Sequence, residues 1–229
     1  MRISLTVLVL LLASSCSKTL IGDEGTLEED IYLNYKTKTA LQLPFDGEWY
    51  IFNGGRTHKH GAHHFVTWGS GQRYAIDVVM LEDGKSYAGD GKDNEDYYCF
   101  GKSLHAPAGG VVLEIENSVE DNIPGELAET GTAAGNYVLM DHLNGEYSLI
   151  AHFKKGTVLV AVGDTITPGQ ELGLTGNSGN STEPHLHYHM QNSPQLLNST
   201  GLPAQFQNYY TNGVFTERGE PEQAQFIKK

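Results

Sequence analysis

The stretch Pro184-His185-Leu186-His187-Tyr188-His189 sets three imidazoles two positions apart. Successive side chains of an extended strand point to opposite faces, so His185, His187 and His189 are expected on one side, with Leu186 and Tyr188 on the other. Imidazole is the commonest protein ligand for zinc, and three protein ligands with one open position are the catalytic form of zinc coordination. The strand is therefore read as supplying one metal ligand and one histidine that acts on substrate or water. The same alternation also suits a polar strand face turned to water, so the rest of the chain has to decide.

A hydrolytic metal site needs further ligands and a group that handles protons or developing charge. Asp77 stands inside the apolar run Tyr74-Ala75-Ile76-Asp77-Val78-Val79. A carboxylate buried there is costly unless it is paired or binds a metal, and a structural salt bridge is the competing reading. His152 closes the segment Leu149-Ile150-Ala151-His152-Phe153, a place where a hydrogen-bonded structural histidine is equally natural. The polar stretch 56–73 adds His58, His60, His63 and His64, whereas His105 and His142 carry no signal beyond ordinary polar positions.

The elements that would position these groups are short strands. Glu48-Trp49-Tyr50-Ile51-Phe52, the run 74–81, Val111 through Glu116, 157–162 and 171–175 read as strands, punctuated by Gly and Pro. Segments 136–142 and 146–153 flank Asn144-Gly145, which favours a hairpin with a type I′ turn. Stretches 84–102 and 120–135 read as surface loops, and Gly176-Asn177-Ser178-Gly179-Asn180-Ser181 feeds the histidine strand without the GK[ST] ending of a phosphate-binding loop. No helix of convincing length appears. The expected fold is all-β, with antiparallel sheets in a small sandwich or barrel-like domain carrying long loops.

The chain of 229 residues with 39% hydrophobic content fits one ordinary domain with appendages. Its formal charge of -13 argues against a nucleic-acid partner, because phosphate binding is driven by clustered Lys and Arg. Residues 1–15 combine Arg2, a short apolar run and the small residues Ala13-Ser14-Ser15, as an export signal does. Cys16 follows directly and resembles the lipidated cysteine of bacterial lipoproteins, although Ala13 stands where Leu is commonest; plain secretion is the alternative. With only Cys16 and Cys99 in the chain, the domain is not a disulfide scaffold, and Cys99 reads as a small half-buried residue. The expected organisation is signal 1–15, tether 16–43, domain 44–216 and a polar C-terminal tail 217–229.

Across 44–192 the ordered segments resemble the lysostaphin/LytM-type zinc endopeptidases of bacterial cell walls. The resemblance is carried by Asn53-Gly54-Gly55, His63, Gln72-Arg73-Tyr74-Ala75-Ile76-Asp77, Ala106-Pro107-Ala108-Gly109-Gly110-Val111, Gly135-Asn136-Tyr137-Val138, Ala151-His152-Phe153, Gly176-Asn177-Ser178-Gly179 and Pro184-His185-Leu186-His187. It implies that His63, Asp77 and His187 bind Zn2+, and that His152 and His185 act on the bound water and the transition state. One departure matters, since His63 and Asp77 are separated by a longer segment than the family's familiar form has. His64 is therefore the alternative first ligand. His189 either orients a ligand or is a solvated strand residue.

The resemblance implies an endopeptidase acting on peptidoglycan stem or cross-bridge peptides; with the N-terminal reading, the protein is expected to be a monomer, exported and held at the membrane through a lipid on Cys16, or otherwise secreted. Two rival readings remain at this point. A non-catalytic wall-binding or activator module of the same fold would be expected to lack a ligand. A purely structural metal would need four closed protein ligands.

Overall fold

In a computed structural model of the chain, the described residues are 32, 34–56, 72–127, 133–196 and 198–229. The expected export signal 1–15, Cys16, His58, His60, His63 and His64 lie outside them. The strands in chain order are β1 (Glu48–Asn53), β2 (Ile76–Val79), β3 (Ser103–His105), β4 (Gly110–Glu116), β5 (Tyr137–Asp141), β6 (Tyr147–Ala151), β7 (Thr165–Ile166), β8 (Glu171–Leu174), β9 (Leu186–Gln191), β10 (Gly201–Leu202), β11 (Phe206–Thr211), β12 (Val214–Gly219) and β13 (Phe226–Lys228). No α-helix occurs among the described residues, and a short 3-10 turn lies at Asn94–Asp96.

The large sheet runs β12-β11-β13-β1-β2-β9-β6-β5-β4-β7, with β10 on β9, and β3 and β8 form a separate pair. Every pairing of these strands is antiparallel, so the all-β expectation holds. Strand β9 lies in the middle, paired on one side with β2 and on the other with β6. Alternation then divides its residues. Leu186, Tyr188 and Met190 enter the main core with Ile76, Val78 and Ile150, while His187, His189 and Gln191 lie on the opposite face. On that opposite face Leu149 and Ala151 join Tyr137 and Leu139 in a smaller apolar cluster beside the histidines.

Two expected boundaries are corrected. The polar tail 217–229 is built into the sheet: β12 runs to Gly219, β13 pairs with both β1 and β11, and Ile227 is fully buried. A largely polar segment can still supply an interior strand when its backbone completes ladders on both sides. The tether 16–43 likewise ends sooner, because Leu41 and Leu43 sit in the core beside Phe45, each contributing about 1.5–3 kcal/mol by burial. Segment 157–162, expected as a strand, is irregular, and the neighbouring strand is β7.

The hairpin of β5 and β6 forms as expected, but with a longer turn. Asp141 pairs with Tyr147, the His142 amide donates to the Glu146 carbonyl, and the positive φ values fall on Leu143 and Gly145 and not on Asn144. A type I′ turn at Asn144-Gly145 is thereby excluded. Asn144 is drawn instead into local bonds: its Oδ1 accepts from the Glu146 amide and its Nδ2 donates to Thr39 Oγ1.

Glu146 is fully buried at this turn and holds the chain's entry into the domain. Its carboxylate accepts from Tyr35 Oη, the Lys38 amide, the Thr39 amide and Thr39 Oγ1. Burial pushes its pKa up, yet these four donors together outweigh burial and hold it below the ordinary glutamate value. A depressed folded-state pKa gives stability that is present above the unfolded value, about 4.3, and is lost as pH falls through the folded value. Glu146→Gln is therefore expected to lower the melting temperature at neutral pH. It should also flatten the fall in melting temperature below about pH 4 relative to wild type. Melting curves across pH 3–8 check both.

Candidate metal centre and catalytic cleft

The register of the sheet places Asp77 of β2 directly opposite His187 of β9, with Ala151 of β6 on the other side of His187. Asp77 Oδ1 is 2.8 Å from His187 Nδ1 and 3.6 Å from His185 Nε2. Asp77 and His187 retain only 7% and 5% exposure, so neither charge nor lone pair is satisfied by bulk water. The second carboxylate oxygen, Oδ2, accepts from Asn53 Nδ2 at 2.9 Å. Asn53 reaches it because β1 changes register between Ile51 and Asn53, a bulge that re-aims the side chain.

His152 sits just past β6 in the left-handed region, at φ 62. The backbone there is tied down on both sides, its amide donating to the Ala134 carbonyl and its carbonyl accepting from the Gly176 amide. Ring Nδ1 donates to the Ser178 carbonyl at 2.7 Å, which leaves Nε2 as an acceptor. Burial, and after it the neighbouring His185 and His187, press its pKa well below the ordinary histidine value, so the ring is neutral at neutral pH. His185 precedes β9 and is held in the same manner, with Nδ1 2.9 Å from the Glu183 carbonyl and 3.2 Å from Ser181 Oγ. The His152 and His185 rings are 4.8 Å apart between centroids, and His152 is 5.6 Å from His187.

The loop that supplies these carbonyls is held by a buried polar network. Asn122 Nδ2 donates to the Gly179 and Ser181 carbonyls, and Asn177 Nδ2 to Asn94 Oδ1. Ser178 Oγ donates to the Phe153 carbonyl, while Asn136 binds Val119 and Phe153 through its side chain. Gly135 and Gly179 have positive φ and press together so closely that a Cβ on Gly179 would stand 2.3 Å from the Gly135 nitrogen. Glycine at both positions lets the loop lie against the end of β6, where the Ser178 carbonyl meets His152.

Together Asp77, His152, His185 and His187 line an open cleft with Asn53 and Phe52. Facing nitrogens of the three histidines lie within 4.8 Å of one another, and no other group of this kind is found among the described residues. The donor set, one carboxylate and imidazoles held by their neighbours, fits a divalent cation of the zinc type. Of the five expected site residues the structure thus brings four together, and the fifth, His63, lies outside the described residues. Three contributors escaped the sequence reading: Asn53, whose signal was the Asn-Gly-Gly motif, Ser178 through its carbonyl, and Gln191 on the histidine face. Two other residues find structural places. His142 is buried between the Gly109 carbonyl and Ser148 Oγ. Cys99 is fully buried with burial pushing its thiol up to about 12, an inert residue whose Sγ donates to the Pro184 carbonyl.

The sequence model of "Peptidase family M23" matches residues 95–199, which include His152, His185 and His187. Residues 95–199 thus resemble an M23 peptidase domain of the LytM/lysostaphin type. The chain is 34% identical over 96 residues to an uncharacterized metalloprotease of Buchnera aphidicola subsp. Baizongia pistaciae, covering 42% of the chain and 24% of the relative. It is 44% identical over 57 residues to the peptidoglycan DD-endopeptidase ShyA of Vibrio cholerae, covering 25% of the chain and 13% of that protein. The matched stretches thus span about a quarter or less of these relatives' lengths. Among solved structures, a zinc containing peptidase from Vibrio cholerae aligns with a TM-score of 0.43 at 19% identity, covering 71% of this chain and 39% of the other.

Proposed function

We propose that this chain is a zinc metalloendopeptidase that hydrolyses peptide bonds in the stem or cross-bridge peptides of peptidoglycan. The observation that carries the reading is the meeting of Asp77 and His187 at 2.8 Å on neighbouring strands, beside two imidazoles held through Nδ1 by backbone carbonyls. Asp77 and His187 would hold the zinc, with His63, or His64 in its place, as the remaining ligand. When bound, the ion supplies a water of lowered pKa and polarises the scissile carbonyl.

The chain's own groups divide the rest of the work. His152 is neutral, buried and donates from Nδ1, so Nε2 is the base that accepts the proton of the attacking water. His185, its ring 4.8 Å from that of His152 and its Nδ1 donating to the Glu183 carbonyl, stabilises the negative charge that develops on the carbonyl oxygen when its Nε2 also carries a proton to donate. Asn53 holds the outer oxygen of Asp77 and keeps the carboxylate aimed inward. A non-catalytic module of the same fold would be expected to lack one of these groups, and each one that falls among the described residues is present.

A wall substrate implies a place outside the cytoplasm, to which an export signal at 1–15 and a lipid on Cys16 would bring the chain. The reading is tested on purified peptidoglycan and defined muropeptides, with products identified by mass. Soluble peptide fragments that vanish with a zinc chelator and return with added zinc are expected. Intact muropeptides after prolonged digestion by the zinc-loaded chain would overturn the assignment.

A further inference from the structure

The face of β9 that presents His187 continues through His189 and Gln191, the i+2 and i+4 positions of the same strand side. All three side chains are buried. His187 Nε2 lies 3.1 Å from His189 Nδ1, and His189 Nε2 lies 3.0 Å from Gln191 Oε1. The far end of this row is fixed by groups whose hydrogen-bonding roles are not reversible. Gln191 Nε2 donates to the Ser193 carbonyl at 2.7 Å, and Gln191 Oε1 accepts from Ser199 Oγ at 3.1 Å.

From that end the direction of each bond follows. An amide oxygen cannot donate, so His189 donates from Nε2. With His189 neutral, the ring that donates from Nε2 accepts at Nδ1, here from His187 Nε2. His187 is thereby left with its lone pair on Nδ1, the atom 2.8 Å from Asp77 Oδ1. Two acceptors at that distance repel unless a cation lies against both. Without the row, a proton on His187 Nδ1 would satisfy Asp77 directly and take the lone pair away from any metal.

We infer that His189 and Gln191 are positioning residues, which with Ser199 hold His187 in the tautomer that offers Nδ1 to the metal. The inference rests on the proposed zinc site and adds what sets its affinity from outside the coordination shell. Orientation of ligating histidines by such outer partners is commonly worth 10–100-fold in metal affinity.

The test uses the full chain and zinc itself, with affinity read by competition against a chromophoric chelator. His189→Phe fills the space without an acceptor, and Gln191→Leu removes the anchor one step further out. Each is expected to bind zinc about 10–100-fold more weakly than wild type. His189→Gln restores both an acceptor and a donor and is expected to recover affinity to within about threefold of wild type. In the zinc-loaded wild type, nitrogen NMR of the imidazoles should show a proton on His187 Nε2 and none on Nδ1. Wild-type affinity in both His189→Phe and Gln191→Leu would overturn this inference alone, as would His189→Gln binding as weakly as His189→Phe. A wild-type chain that binds no zinc would overturn the proposed function with it. Should His189→Phe fail to fold, Gln191→Leu and the NMR assignment still decide.

Discussion

His187→Ala is expected to abolish both stoichiometric zinc and hydrolysis of purified cell wall, reducing activity to that of a blank without enzyme. The size of the effect follows from where the ring sits. His187 is the residue that Asp77, His152 and His189 all approach, at 2.8 Å from Asp77 and 3.1 Å from His189. Its removal deprives the metal of a ligand and takes from the buried carboxylate of Asp77 the imidazole 2.8 Å away. The backbone ladders of β9 to β2 and β6 do not depend on the ring, so the fold should persist. Circular dichroism on the same sample separates loss of the site from loss of structure. Retained hydrolysis in a folded His187→Ala chain would rule out the assignment of this strand.

His152→Ala is expected to behave differently: zinc remains bound, while hydrolysis falls by about 10²–10⁴-fold, the usual contribution of a positioned base. The ring is aimed by the Ser178 carbonyl and kept neutral by burial, conditions suited to accepting a proton and not needed for a merely structural residue. Its backbone sits at φ 62, a conformation that costs an ordinary residue of order 1 kcal/mol and is held by bonds to Ala134 and Gly176. His152→Asn, which tolerates that conformation better, serves as the control for backbone strain. Parallel measurement of zinc content and hydrolysis rate checks the split. Loss of zinc along with activity would move His152 from the base to the ligand set.

How much of this was legible beforehand differs by residue. The period of two in the histidine stretch carried the site face directly, because strand alternation is a local rule that needs no partner to be known. Asp77 stood out for the opposite reason: a carboxylate in a wholly apolar run demands a partner, and His187 across the ladder is that partner. Asn53 and Ser178 were not assignable from spacing, since one acts through a register change in β1 and the other through its carbonyl.

Gln191 was missed because an amide at a strand end has no chemical signature until its neighbours fix which atom accepts. The edges of the fold misled for a related reason. Segment 217–229 is polar and 37–43 is flanked by polar residues, yet Ile227, Leu41 and Leu43 are each buried by partners distant in sequence. Composition reports what a segment could tolerate; tertiary pairing decides what it does.

X-ray absorption at the zinc edge of the zinc-loaded chain asks the central question most directly, because it counts the imidazoles around the ion. Two imidazoles and two oxygens are expected, from His63, His187, Asp77 and one water. Three imidazoles would place His152 or His185 on the metal, and the division between holding the ion and moving the proton would be wrong.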